Sequence, residues 1–367
     1  MRAAVLGGVN EEFRLAEVEL AAPRDGEVLV RIAASGLCGS DLNAISGKRT
    51  LVPFPAVLGH EASGEVVACG PGVSRLHEGD HVVLSILPWC GRCTQCAHGR
   101  RNFCAVAGAA MAAGALLDGT GRLSLPGGDT LHHFLTVSSF APYAVVPESG
   151  AVALPPGLPL VPAALLSCAV LTGYGAVHHT AKVRAGSRVA VFGCGGVGLN
   201  IVQAARLAGA AQIVAVDVSA DKLALASRLG ATATVHAGEA DPVAAVRREL
   251  DGGADYAFEA LGREQVMSQA WASLDVRGQL VLVGLLPGGA RLCLDAGPFL
   301  SEQSVTGCYL GSADPARDIP VLAGHYLRGE LALDELITRQ IALDQLGQGF
   351  ADLRAGRGAR SVLVFAP

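Results

Sequence analysis

A strand, a glycine-rich turn and a helix follow one another without interruption in the second half of the chain. Residues 188–192 are an apolar run, residues 193–198 read Gly-Cys-Gly-Gly-Val-Gly, and residues 197–208 have a helical period. A second apolar run at 212–216 and a second helical segment at 220–229 come next. Because continuous apolar strands alternate with amphipathic helices, this part of the chain is predicted to be α/β, with a doubly wound parallel sheet covered on both faces.

The spaced glycines of the turn predict a ligand. Gly193 permits the tight turn, Gly195 lets the backbone approach a pyrophosphate, and Gly198 allows the helix to pack closely on the strand. The N-terminus of the following helix attracts phosphate groups. We therefore predict a Rossmann domain that binds a dinucleotide; its turn contributes Gly193, Gly195, Gly196, Val197 and Gly198. The alternative is a domain of the same fold that binds no nucleotide.

A carboxylate near the end of the next strand indicates which dinucleotide is bound. Asp217 stands at the distance expected for a residue that binds the ribose diol, and Lys222 follows one short turn later. A carboxylate at this place repels the 2′-phosphate of NADP, so the sequence favours NAD. In a domain that binds no nucleotide, Asp217 would serve only as a helix cap.

Four of the ten cysteines are crowded into one short stretch of the first half, which otherwise reads as short β segments. They have the spacing C-x2-C-x2-C-x7-C and are Cys90, Cys93, Cys96 and Cys104. In a reducing compartment such crowding indicates metal rather than disulfides. Four thiolates complete a tetrahedral zinc shell with no position left for substrate, so we predict a structural zinc. The alternatives are an iron–sulfur cluster, whose usual Cys-Pro ending is missing, and a nucleic-acid-binding zinc ribbon, which the net charge of −5 opposes.

A second group of metal-ligating residue types is dispersed: Cys38, His60 and Cys168. Spacing alone does not distinguish such residues from ordinary core side chains. However, residues 59–73, which read Gly-His-Glu-Ala-Ser-Gly and continue to Gly70 and Val73, resemble the signature G-H-E-x2-G-x5-G-x2-V of zinc-containing medium-chain alcohol dehydrogenases. The cysteine loop and the glycine turn follow in the family's order.

The resemblance implies a catalytic zinc with one position open for water or substrate. Its protein ligands would be Cys38, His60 and Cys168. Glu61 resembles the carboxylate beside this metal, and Asp41 resembles the partner that orients the ligand histidine. Ser40 resembles the hydroxyl of a proton relay. Well-known members continue that relay with a histidine where this chain has Asn43, so the sequence departs from the family at the proton exit.

The family fold is a GroES-like β-rich catalytic domain with an inserted Rossmann domain. The resemblance places the catalytic domain at residues 1–169, completed by 310–367, and the NAD-binding domain at 170–309. Trp89, Phe134 and Leu135 resemble residues of an apolar substrate pocket. Four further residues resemble positions around the nicotinamide, its ribose and the pyrophosphate: Thr172, Arg263, Val283 and Arg360.

These features predict a zinc-dependent, NAD-linked alcohol dehydrogenase with two zinc ions per subunit, acting reversibly on apolar or aromatic alcohols. Relatives specialised for polyols tend to carry Glu at the place of Cys168, so the cysteine favours simple alcohols. The alternatives are a thiol-dependent formaldehyde dehydrogenase, a biosynthetic carbonyl or imine reductase, and a non-enzymatic regulator on the same scaffold.

The sequence also predicts the surroundings of the protein. Residues 1–9 lack the features of a targeting segment, and prolines interrupt the uncharged stretch 151–177, so we expect no membrane partner and a cytoplasmic location. The negative net charge gives no reason for binding nucleic acid. The resemblance suggests a homodimer or homotetramer that pairs through the sheet edge near residues 303–310.

Overall fold

The chain folds into two units and crosses between them more than once. The computed structural model describes residues 1–49 and 52–366. The first unit comprises Met1–Cys168, Asp314–Gly329 and Leu333–Pro367, and the second comprises Ala169–Ala313 and Glu330–Ala332. The predicted mixed α/β class is confirmed, with a β-rich first unit and a second unit built on a parallel sheet.

The first unit begins with eleven short strands among its described residues, as its punctuated apolar runs predict. They are β1 (Arg2–Leu6), β2 (Arg14–Glu17), β3 (Glu19–Leu20), β4 (Glu27–Gly36), β5 (Ala56–Val57), β6 (Glu61–Cys69), β7 (His81–Leu84), β8 (Leu123–Ser124), β9 (Thr130–His133), β10 (Tyr143–Pro147) and β11 (Ala151–Ala153). The helices between and after them are α1 (Gly39–Ile45), α2 (Thr94–Ala97), α3 (Ala105–Ala113) and α4 (Leu160–Ala163), with 3-10 turns at Arg101–Phe103, Glu148–Gly150 and Ala164–Ser167. One sheet has the order β2-β1-β5-β9-β8-β3.

The second unit is a six-stranded sheet in which every pair is parallel. Its strands are β12 (Arg188–Phe192), β13 (Gln212–Asp217), β14 (Ala233–His236), β15 (Ala254–Glu259), β16 (Leu274–Leu282) and β17 (Ser304–Gly307). Its helices are α5 (Ala169–Gly175), a π-helical turn (Ala176–Ala181), α6 (Gly196–Leu207), α7 (Ala220–Leu229), α8 (Pro242–Glu249) and α9 (Glu264–Ala272), with 3-10 turns at Gly297–Ser301 and Leu310–Ser312. The order β14-β13-β12-β15-β16-β17 reverses direction between β12 and β15, which is the switch point where doubly wound sheets bind ligands.

The chain then returns to complete the second sheet of the first unit. The returning elements are α10 (Pro315–Leu327), β18 (Ile337–Ile341), α11 (Leu346–Arg354) and β19 (Arg360–Val364), with 3-10 turns at Asp334–Leu336 and Leu343–Gln345. The sheet order is β11-β7-β6-β4-β19-β18, and β10 also pairs with β4. Val362 of β19 lies opposite Gly36 at the end of β4, so the start of β19 is brought beside the segment that follows β4.

A helix that crosses a bilayer needs about 20 predominantly apolar residues. In the described part of the chain, no single helix is long and apolar enough to cross a membrane. The segments Leu160–Ser167 and Ala169–Ala181 pass that test only as a bent pair, by length and composition alone. Their apolar side chains are largely buried, for example Leu166 and Val170, as in the core helices of a folded domain.

Candidate functional site

Strand pairing in the first unit brings the dispersed metal-ligating residues together. Gly36, the last residue of β4, lies opposite Glu61, the first residue of β6. This register places Cys38, just after β4, beside His60, just before β6. Cys168 follows the 3-10 turn Ala164–Ser167. The ligand atoms of Cys38, His60, Glu61 and Cys168 all lie within 4.8 Å of one another, and all four residues are buried.

This cluster has the properties of an open zinc site. His60 is fully buried, and its Nε2 atom has no hydrogen-bond partner in the structure. A buried polar atom without a partner is costly, and a metal ion is one of the few groups that would satisfy it. Two thiols and one imidazole are ligands that zinc prefers, and three protein ligands leave the fourth position for a substrate. The donor set therefore fits a catalytic zinc.

Asp41 orients this cluster from behind. Its Oδ1 atom lies 3.3 Å from His60 Nδ1 and accepts a hydrogen bond from the Gly59 N–H at 3.1 Å, and its Oδ2 accepts the Cys38 N–H at 3.0 Å. The sequence produces this arrangement locally, because Cys38 is the N-cap of α1 and Asp41 stands three residues later, where a side chain reaches back to the cap. With Nδ1 facing a carboxylate, Nε2 is the nitrogen left for a metal.

Glu61 forms a buried ion pair at the edge of the cluster. Its Oε1 atom lies 3.0 Å from Arg360 Nη2, and Arg360 Nη1 donates to the Leu37 carbonyl at 3.0 Å. Burial raises the pKa of Glu61 to about 8, although the positive charge of Arg360 opposes the shift. Arg360 was predicted to contact the pyrophosphate. In the structure its guanidinium binds Glu61 and the Leu37 carbonyl, and the pyrophosphate contact stays a prediction.

The two thiols of the cluster differ in acidity because they share a hydrogen bond. The neighbouring Cys168 thiol lowers the pKa of Cys38, and the charge of Arg360 lowers it further. The same hydrogen bond and burial raise the pKa of Cys168.

Ser40 is half-buried, with its Oγ 4.0 Å from Cys38 Sγ, and Asn43 is half-buried on the same helix. The hydroxyl predicted for proton transfer therefore lies next to the thiol of Cys38, a predicted metal ligand.

The buried turn 134–138 packs against His60, the predicted ligand. The ring of Phe134 meets the ring of His60 edge-on, with centroids 5.6 Å apart, and Phe134 is fully buried. Leu135, Thr136 and Ser138 all have positive φ angles, a strained conformation for Thr136 because it is β-branched. Strain of this kind is retained where surrounding structure enforces it, which is common at functional sites.

The four-cysteine loop brings its thiols together without help from distant segments. The Sγ atoms of Cys90, Cys93, Cys96 and Cys104 lie within 4.8 Å of one another. Backbone N–H groups of Cys96 and Ala105 lower the pKa of Cys93 to about 6, which favours the thiolate that zinc binds. This set fits a closed structural zinc.

Trp89 lies beside this loop with its ring centre 4.1 Å from the guanidinium carbon of Arg101. Its predicted place at the mouth of a substrate pocket stays a prediction.

The glycine turn in the second unit has the geometry that a dinucleotide requires. Gly193 has φ of +97°, and a Cβ on Gly198 would overlap the carbonyl oxygen of Gly193. Gly195 is the N-cap of α6, and a Cβ there would meet nothing within 4 Å. Neither backbone angle nor packing requires glycine at 195, and the open space beside it would let a ligand approach the backbone. Gly196 and Val197 begin α6 beside this space.

Asp217 ends β13 with its carboxylate held by the backbone. Its Oδ2 accepts the Cys194 N–H at 2.7 Å, and its Oδ1 accepts the N–H groups of Val218 at 2.8 Å and Ser219 at 3.0 Å. These bonds fix the carboxylate next to the glycine turn. Each carboxylate oxygen can accept two hydrogen bonds, so Oδ1 is fully used and one acceptor position remains on Oδ2. Lys222 lies half-buried on α7.

The remaining predicted cofactor residues lie in the second unit. Thr172 is buried in α5, Arg263 is the N-cap of α9, and Val283 follows β16 with its N–H on the carbonyl of Glu259. The sequence reasoning missed Glu259 itself, a buried carboxylate at the end of β15. The available signal was a second carboxylate residue at the very end of a predicted strand, beyond Asp255 near its start.

Comparisons with known proteins show which family this chain is similar to. A family model described as alcohol dehydrogenase GroES-like domain matches residues 24–156, and one described as zinc-binding dehydrogenase matches residues 196–323. An alcohol dehydrogenase zinc-binding domain protein from Burkholderia ambifaria is 39% identical, with a TM-score of 0.95 over 100% of this chain and 99% of that chain. Benzyl alcohol dehydrogenase from Acinetobacter calcoaceticus is 35% identical, with a TM-score of 0.94 over 100% of this chain and 99% of that chain. A Sinorhizobium meliloti protein solved bound to NADP is 28% identical, with a TM-score of 0.82 over 99% of each chain.

Proposed function

Because this chain belongs to the zinc-containing medium-chain alcohol dehydrogenase family, we propose that it is an NAD-linked enzyme that interconverts apolar or aromatic alcohols and their carbonyl products. The observation that carries the proposal is the buried cluster of Cys38, His60 and Cys168, in which Nε2 of the histidine is left without a partner. A protein that had kept only the scaffold would have no physical reason to keep that open donor set buried.

When bound, zinc supplies the Lewis acidity that lowers the pKa of an alcohol, and NAD supplies the hydride acceptor. The chain's own residues prepare that chemistry. Asp41 holds the His60 ring in one orientation, and Arg360 keeps Glu61 beside the donor set. In this proposal Ser40, whose Oγ lies 4.0 Å from Cys38 Sγ, takes the hydroxyl proton, and Asn43 cannot receive that proton at neutral pH. We therefore propose that the proton leaves from Ser40 to water rather than to a side chain at position 43.

The choice of NAD rests on Asp217. Three backbone N–H groups hold its carboxylate beside the glycine turn, so a 2′-phosphate at this place would face a fixed negative charge. Because one relative was solved bound to NADP, the preference of this protein for NAD or NADP has to be measured. We expect Asp217→Asn to narrow the preference for NAD over NADP, measured as the ratio of kcat/KM values.

The choice of an apolar substrate rests on the first unit. Phe134 packs edge-on against His60, and the next residue, Leu135, is buried and apolar. The similarity to benzyl alcohol dehydrogenase supports an aromatic primary alcohol as the substrate class. Cys168 supports simple alcohols over polyols by the resemblance given above.

The test is a direct assay of coenzyme reduction. Purified protein is mixed with NAD+ or NADP+ and with benzyl alcohol, hexanol or the glutathione adduct of formaldehyde, and the absorbance of the reduced coenzyme is followed. We expect benzyl alcohol to support reduction of NAD+, and a zinc chelator to abolish it. Reduction with the thiol adduct alone would favour the formaldehyde dehydrogenase alternative, and no reduction with any alcohol would contradict the proposal.

Two cysteine variants provide a matched comparison. Cys168→Ser removes a proposed ligand, and we expect kcat/KM to fall by about a hundredfold or more, because metal catalysis contributes several kcal/mol. Cys293→Ser makes the same chemical change at an exposed free cysteine and should leave activity unchanged.

We further propose that the subunits pair through β17. This strand is one of the two edge strands of the second unit's sheet, and exposed apolar side chains such as Leu300 and Tyr309 flank it. Unpaired strand edges of this kind favour association with another chain. Light scattering should give at least twice the subunit mass, and a monomer would contradict the pairing.

A further inference from the structure

Glu259 lies at the switch point of the parallel sheet. It is the last residue of β15 and lies opposite Phe192, the last residue of β12. The strand order reverses between these two strands, and ligands of doubly wound sheets bind outside the carboxyl ends of the strands at that point. A fully buried carboxylate is an unusual group to find there, since burying a charge is costly.

The carboxylate of Glu259 is used to hold the loop that follows it. Its Oε1 accepts the N–H groups of Leu261 and Gly262, both at 2.8 Å, and lies 3.4 Å from the Arg263 nitrogen. Its Oε2 lies 3.1 Å from the Gly262 nitrogen. Burial raises the pKa of this carboxyl, and the Leu261 N–H is the strongest of the groups that oppose the shift. One side chain therefore shapes the turn 260–263.

The backbone of the same residue holds a second loop. The carbonyl oxygen of Glu259 accepts the N–H groups of Val283 and Gly284, both at 2.9 Å. A Cβ on Gly284 would come within 2.7 Å of Glu259 Oε2, so this loop is packed directly on the carboxylate. Glu259 thus joins the segments that follow β15 and β16.

The turn 260–263 is also fitted against the glycine turn. The Ala260 N–H donates to the Phe192 carbonyl at 2.9 Å. A Cβ on Gly193 would come within 2.6 Å of the Leu261 side chain. The two turns leave the sheet side by side, so a shift in one requires a shift in the other.

We propose that Glu259 is a positioning residue for the dinucleotide, which holds the turn 260–263 and the segment 283–284 in their binding geometry before the coenzyme arrives. This inference rests on the proposed use of NAD. Rigid loops reduce the ordering cost of binding, so loss of the carboxylate should weaken coenzyme affinity more than the chemical step.

The test compares two glutamate-to-glutamine variants by NADH fluorescence titration. In Glu259→Gln the amide oxygen can take the place of Oε1, but the NH2 group then faces the Gly262 N–H that Oε2 accepts now, and the negative charge that strengthens the other bonds is lost. We therefore expect the Kd for NADH to rise by about tenfold. The kcat at saturating NAD+ and the zinc content should stay close to those of the wild type. Glu264→Gln is the control, because exposed Glu264 also accepts one backbone N–H, from Arg291 at 2.7 Å; its Kd should change by less than about twofold.

Several outcomes would overturn the inference. They are an unchanged Kd in a folded Glu259→Gln protein, an equal rise in Glu264→Gln, and a wild-type protein that binds neither NADH nor NADPH. The titration needs no alcohol, so a protein that binds NADH but oxidises no alcohol would contradict the proposed substrate while leaving the role of Glu259 intact.

A measurement on the wild-type protein covers the case in which Glu259→Gln does not fold. Amide hydrogen exchange of Leu261 and Gly262 should be slow before NADH is added, since both N–H groups are bonded to a buried carboxylate. Exchange at the rate of unprotected amides, slowing only when NADH binds, would mean that the coenzyme rather than Glu259 orders the turn.

Discussion

Replacing Asp41 with asparagine should weaken the proposed catalytic zinc site and spare the proposed structural one. The Asp41 carboxylate accepts the Cys38 and Gly59 N–H groups and faces His60 Nδ1, and it is completely buried. In Asp41→Asn the new NH2 group faces at least one of these donors, so a buried N–H loses its acceptor at a cost of about 1–3 kcal/mol in the free energy of unfolding. Loss of a partner of a ligand histidine also weakens zinc affinity by about tenfold to a hundredfold.

The assay is zinc transfer to a chromophoric chelator, followed by chemical denaturation of the metal-free protein. The four-cysteine site is an internal control, because none of its thiols bonds to Asp41. Asp129→Asn makes the same change at an exposed position of the first unit and should behave as wild type. Wild-type zinc affinity in Asp41→Asn, or equal zinc loss from both sites, would refute the reasoning.

Three further variants test other parts of the structure. Gly198→Ala places a methyl group against the Gly193 carbonyl, so the Kd for NADH should rise and the free energy of unfolding should fall by about 1–3 kcal/mol; unchanged values in titration and denaturation would contradict the packing. Burial, reinforced by the charge of Arg122, lowers the pKa of His133 to about 3. As the pH is lowered, the imidazole of the unfolded chain is protonated at about pH 6.5, whereas that of the folded protein stays neutral until about pH 3. The free energy of unfolding should therefore fall by about 1.4 kcal/mol for each unit by which the pH is lowered within this range. His133→Gln should remove that slope from denaturation curves measured at several pH values, and equal slopes would argue against it. Asn43→His should add an ionisation near pH ~6.5 to the profile of kcat against pH, and an unaltered profile would show that position 43 is not on the proton path.

Short-range features of this protein were predictable from the sequence. The glycine turn is recognisable from neighbouring residues, since it joins a strand directly to the helix that follows, and the confirmed α/β fold follows from the same local alternation of apolar strands and helices. The four-cysteine loop is similar, because its ligands lie close enough along the chain for the loop alone to gather them. In both cases the geometry of the ligands is encoded in the spacing.

The dispersed site depended on the tertiary structure. Cys38 and His60 meet because Gly36 pairs with Glu61, a register that no local pattern specifies. Resemblance to a family supplied the residues, but not the contact of Arg360 with Glu61, which required β19 to pair with the end of β4. Glu259 was missed for the same reason, since its partners come from separate loops.

The sequence by itself therefore determined which local motifs exist, the glycine turn and the cysteine loop, because short spacings constrain the backbone directly. Only the tertiary structure decided which distant side chains share one buried site, because strand order and register bring them together. The strand–turn–helix unit identified first predicts a ligand at Gly195, and the folded sheet adds that Glu259 holds the neighbouring turn in place.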